Sequence, residues 1–122
     1  MAQKIPPELE QTLIKYQQIE SQLASVITQK SVVSSELKDI ERALNVLQSI
    51  SAETPVYKNT GFVLVKVGKD EVIKELQERK EELEVRLTSF EKIEETLRKQ
   101  FEAVKKELEK YRVVPSTASE GG

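Results

Sequence analysis

Gly61 and Gly68, with Lys69 directly after the second, are the residues of this sequence that come nearest to a reactive motif, a loop that cradles phosphate. The spacing does not fit. Six residues separate the glycines where the phosphate loop has four, and Asp70 stands where that loop needs a serine or threonine hydroxyl for magnesium. The adjacent acids Glu81-Glu82 and Glu94-Glu95 are the next candidates, for acid–base work. Neighbours on a helix diverge by about 100°, and a slender helix pair has no pocket to raise a carboxyl pKa. Both pairs read as solvated helix surface. The chain has no histidine, the usual general base and commonest metal ligand, and no cysteine for disulfides or thiolate sites. These observations predict a protein that is not an enzyme and needs no cofactor or metal.

Composition sets the kind of scaffold. Of 122 residues 33% are charged and 38% hydrophobic, which suits elongated amphipathic helix better than a wide globular core. Nineteen basic and 21 acidic residues leave a net charge of -2, giving no general attraction to phosphate backbones or anionic lipid. Neither nucleic acid nor membrane is expected as a partner. Met1 to Pro7 lacks the apolar stretch of a secretory signal, and the longest apolar run, Phe62 to Val65, falls far below the roughly 18 residues of a membrane span. A cytoplasmic protein is the expectation.

The elements follow from periodicity. Pro6, Pro7 and Glu8 suit a helix start, since proline is tolerated in the first turn and an acid there favours the helix dipole. Positions 9, 16, 23, 30, 37 and 44 read Leu, Tyr, Leu, Lys, Leu, Leu, and positions 12, 19, 26, 33, 40 and 47 read Thr, Ile, Val, Val, Ile, Leu. Ten of these twelve are apolar at strict heptad spacing, predicting a coiled-coil helix over 8–51 that stops before Thr54-Pro55. Val56-Tyr57-Lys58 and Phe62-Val63-Leu64-Val65-Lys66-Val67 are rich in β-branched and aromatic residues, with turn chemistry at Asn59-Thr60-Gly61 between them. That predicts a β-hairpin over 56–67. A second heptad series then runs from Ile73 through Leu76, Leu83, Leu87, Phe90, Leu97, Phe101, Val104 and Leu108 to Tyr111, predicting a second coiled-coil helix over 69–111. Acid-first pairs four residues apart, such as Glu75/Arg79 and Glu95/Lys99, support it. After Tyr111, Arg112-Val113-Val114-Pro115 leads into the small, polar run Ser116 to Gly122, and 112–122 reads as a flexible tail.

The fold class is therefore mainly α: a long antiparallel two-helix coiled coil with one β-hairpin between the helices, the whole of 1–122 forming a single domain. Two places carry more apolar surface than this architecture needs. The hairpin has apolar residues on both faces (Val56, Tyr57, Phe62, Val63, Leu64, Val65 and Val67), and a lone two-stranded hairpin is marginal in water with two open edges. Joining edge to edge with hairpins of other chains in a shared barrel or sheet resolves both problems. At the end of the coil away from the hairpin, Ile5, Leu9, Leu13 and Ile14 share a height with Leu108, Tyr111, Val113 and Val114, more apolar side chains than the seam can use.

Thr54-Pro55-Val56-Tyr57-Lys58-Asn59-Thr60-Gly61-Phe62-Val63-Leu64-Val65-Lys66-Val67, followed by Lys69-Asp70-Glu71-Val72-Ile73-Lys74-Glu75-Leu76, resembles the β-type subunits of archaeal prefoldin, as do Leu83-Glu84-Val85-Arg86-Leu87 and the Ile5-Pro6-Pro7 start. The resemblance covers nearly the whole chain. It implies an ATP-independent molecular chaperone: a hexamer of two α-type and four β-type subunits whose hairpins build a double β-barrel, whose helix tips capture unfolded client proteins, and which delivers them to a group II chaperonin. By position, Ile5, Leu9, Leu13, Leu108, Tyr111, Val113 and Val114 would then contact clients. After Tyr111 no family pattern is evident. Two other classes are a structural coiled-coil scaffold without client binding and an RNA-binding helical arm. A scaffold needs no strand edges seeking partners, and an RNA arm shows a basic stripe, whereas acids and bases alternate here.

Overall fold

The computed structural model describes residues 5–111 and shows two long antiparallel helices with a two-stranded hairpin between them. The order is α1 (Pro7–Ser49), β1 (Val56–Asn59), β2 (Leu64–Val67) and α2 (Lys69–Glu109). Both helices run through two compact units, Met1–Gln29 with Phe90–Gly122 and Lys30–Ser89. The tail expected over 112–122, including Val113 and Val114, lies outside the described residues.

Helix α1 opens as the two prolines dictate. The Glu10 N–H donates to the Pro6 carbonyl at 3.0 Å, so Pro7 occupies the first helical position, where its missing N–H costs nothing. The seam is the one the heptads prescribe. Val26, Val33, Leu37, Ile40, Leu44 and Leu47 are buried along α1, as are Leu83, Leu97, Val104 and Leu108 along α2. Thr12, the polar exception in α1's second series, is buried too, and its hydroxyl donates to the Glu8 carbonyl at 2.8 Å. A backbone acceptor one turn back satisfies the buried hydroxyl without a partner across the seam.

Helix α1 ends at Ser49, two residues earlier than the periodicity suggests. Ser51 and Thr54 close a turn there, with the Thr54 N–H on the Ser51 carbonyl at 3.2 Å and the two hydroxyls 2.9 Å apart. No basic residue lies in the last turn of α1, and the Lys69 ammonium supplies the missing charge by donating to the Ile50 carbonyl at 3.0 Å. The end of α1 is thereby tied to the beginning of α2.

The hairpin is antiparallel, pairing Val56 with Val67, Tyr57 with Lys66, Lys58 with Val65 and Asn59 with Leu64. The second strand begins at Leu64, so Phe62 and Val63 belong to the turn and not to the strand expected from the β-branched run. Turn chemistry fixes this. The Thr60 N–H and hydroxyl both donate to the Val63 carbonyl, at 2.9 and 3.0 Å, and the Gly61 N–H donates to the Asn59 side-chain oxygen at 2.9 Å. Gly61 has φ of +103°, which a side chain would strain.

Candidate functional site

Within Lys30–Ser89, the hairpin carries the largest local excess of apolar surface. Antiparallel partners share a face, so Val56, Lys58, Val65 and Val67 stand on one side and Tyr57, Asn59, Leu64 and Lys66 on the other. Lys58 reaches back to α2, its ammonium 2.7 Å from the Glu75 carboxylate, and Val56 and Val67 are half-buried. Tyr57, Val63, Leu64 and Val65 are exposed, and Phe62 is wholly so. The seven residues assigned to assembly from sequence are thus brought together on one hairpin, five of them exposed.

In the same unit an ionic clamp joins the helices. Arg79 grips Glu36 in a fork, Nε to Oε2 at 2.7 Å and Nη2 to Oε1 at 3.2 Å, and turns Nη1 to Glu82 at 3.1 Å. The Arg79 hydrogen bond holds the Glu36 carboxyl below its ordinary pKa; partial burial opposes the shift and the nearby guanidinium charges add to it. The sequence reading paired Arg79 with Glu75 four residues before it. Glu75 instead serves Lys58 and Arg79 serves α1. The available signal was positional: Glu36 and Arg79 each immediately precede a seam position, where side chains reach across a coiled coil.

Within the other unit, the start of α1 and the end of α2 close over a small core of Tyr16, Val104 and Leu108, with Leu9, Leu13, Ile19 and Phe101 packed against it. The Tyr16 and Phe101 rings lie 4.8 Å apart, tilted by 33°. This cluster sorts the sequence-derived client contacts. Ile5 and Tyr111 are exposed, at 54% and 38%, Leu9 and Leu13 are half-buried, and Leu108 has no exposed surface at all. Leu108 is therefore a packing residue, which heptad position alone could not distinguish from Tyr111. Tyr111 escapes because α2 ends at Glu109 and the chain tightens, with Lys110 and Tyr111 N–H groups donating to the Glu107 and Leu108 carbonyls. Ile14 is also exposed. Beside this core, small Ala103 leaves a groove of about 470 Å³ floored by Ile19 and Val104, with Lys15, Gln100 and Glu107 on its rim.

Nothing in this arrangement assembles a reactive centre. Strand β2 separates Gly61, in the hairpin turn, from Gly68, at the foot of α2. Among the neighbouring acids Glu94 pairs with Arg98 at 2.7 Å and Glu95 with Lys99 at 3.2 Å. Among the described residues no group of acids could hold a metal ion, and no helix is long and apolar enough to cross a membrane.

A helix pair with one hairpin at its turn and apolar surface left over on that hairpin defines a class, and comparison with known proteins gives the same one. The family model described as prefoldin subunit matches residues 10–112, and the chain belongs to that family of non-enzymatic chaperones. Its relatives are of the β type. The prefoldin subunit beta of Archaeoglobus fulgidus is 42% identical over 106 residues, covering 87% of this chain and 91% of the relative. That of Sulfurisphaera tokodaii is 44% identical over 108 residues, covering 88% and 86%. The crystal structure of the prefoldin beta subunit from Thermococcus strain KS-1 superposes with a TM-score of 0.79 at 32% identity, over 93% of this chain and all of that one.

Proposed function

We propose that this chain is an ATP-independent chaperone subunit that assembles through its hairpin with an α-type prefoldin subunit and further copies of itself, two α and four β. It holds unfolded proteins where α1 begins and α2 ends, and passes them to a group II chaperonin. The observation that carries this reading is where the exposed apolar surface lies. Among the described residues, five of the thirteen exposed large apolar side chains fall between Tyr57 and Val65, on an element too small to be stable without neighbours. In the other unit Ile5, Ile14 and Tyr111 are exposed near the beginning of α1 and the end of α2. Leu9 and Leu13 contribute their uncovered edges to client contact, Leu108 holds the tip together from beneath, and Val113 and Val114, outside the described residues, are client contacts by sequence alone. The cytoplasm is the compartment that suits this work.

The test is light scattering of a chemically unfolded protein diluted, without ATP, into this chain reconstituted with an α-type subunit. Aggregation is suppressed, and an Ile5→Ser/Tyr111→Ser variant suppresses it less although it assembles normally. Unchanged aggregation in the presence of a formed complex would instead make the chain a structural coiled-coil component.

A further inference from the structure

The two faces of the hairpin are unequally covered, and the difference traces to one ion pair. Val56 and Val67 anchor the base of the hairpin by partial burial, while Pro55 and Gly68 bracket it with backbone that makes no ladder pairs. Further out, among the described residues, Lys58–Glu75 at 2.7 Å is the hydrogen bond that joins a strand to a helix. It turns the Lys58 and Val65 side toward α2 and leaves Tyr57 and Leu64 facing outward. Glu75 is available for this because Arg79, its neighbour one helical turn on, is committed to Glu36.

We propose that Lys58 and Glu75 are a positioning pair that sets which hairpin face the chain offers to its partner subunits, and so how readily it enters its assembly. This rests on reading the hairpin as the assembly element. An exposed ion pair contributes little to stability. Its leverage here is orientational: it ties a short hairpin on a narrow base to α2 by the Lys58 and Val65 side, so that the Tyr57 and Leu64 side faces outward. If losing the pair halves the competent fraction of each chain, and four copies must close into one assembly, formation falls by about sixteen-fold.

The experiment compares the full-length chain with Lys58→Glu, with Glu75→Lys and with the double exchange, each titrated with an α-type prefoldin subunit and followed by native mass spectrometry. At a concentration well below half-assembly, each single reversal lowers the amount of complex about ten-fold or more, and the double exchange returns it to within about two-fold of the parent. Helical circular dichroism and melting of the free chains stay unchanged, which separates a positioning role from a folding one. Single variants that assemble like the parent, or a double exchange no better than the singles, would overturn the proposal while leaving hairpin assembly intact. A parent chain that does not co-assemble at all would remove both.

Discussion

Leu108 and Tyr111 stand three positions apart on the same heptad seam, yet one is sealed and the other open to solvent. Their substitutions should separate accordingly. Leu108→Ala removes a side chain with no exposed surface from a core with few members, and a loss of about 2–5 kcal/mol is expected in denaturant unfolding. Tyr111→Ser should stay within about 0.5 kcal/mol of the parent, its effect appearing in client holding instead. Glu36 gives a prediction with a sign. Its folded pKa lies below the ordinary 4.5, so the stabilisation from Arg79 is present in full above that value and disappears as pH falls through the folded one. Glu36→Gln should lower the melting temperature by about 2 °C at neutral pH, and the difference should shrink as pH falls below 4.5 and close once it has passed through the lowered folded value. Melting curves of both chains across that range measure it; a gap that persists in acid would mean that the carboxylate charge is irrelevant.

Among elements, the helices were the most legible in the sequence because the heptad constraint is repeated over many turns. Every residue of both series is at least half-buried except Tyr111, where the helix has already ended. The hairpin was legible as an element but not in its details. A β-branched run from Phe62 to Val67 does not say where the turn closes; the two bonds from Thr60 to the Val63 carbonyl decide that. Gly61→Val should disturb the turn, costing about 1–3 kcal/mol of local strain, visible as faster amide exchange at Thr60 and in the strand ladder. Within α2 the acid-first pairs Glu82/Arg86 and Glu95/Lys99 were legible, but the tie from Arg79 to Glu36 was not. On paper Arg79 has an acid four residues before it, and only the folded helices show that Glu36 offers the better fork. At the tip the sequence placed Leu9, Leu13 and Leu108 at one height but could not tell Leu108 from Tyr111, because heptad position reports direction and not depth.

At the scale of the whole molecule, the chain combines a self-sufficient part with one that is not. The helices bury their own seam and satisfy even Thr12 internally, whereas the hairpin leaves Phe62 with no cover from its own chain. A bare phenyl ring is the kind of surface that chaperones are built to find, so until partners cover it the free subunit resembles its own clients. On the function proposed above, production in excess of an α-type subunit would add to the burden of sticky protein that the assembly relieves. The supply of the two chains has to be matched, a requirement on how much of each is synthesised that originates in one uncovered side chain in a four-residue turn.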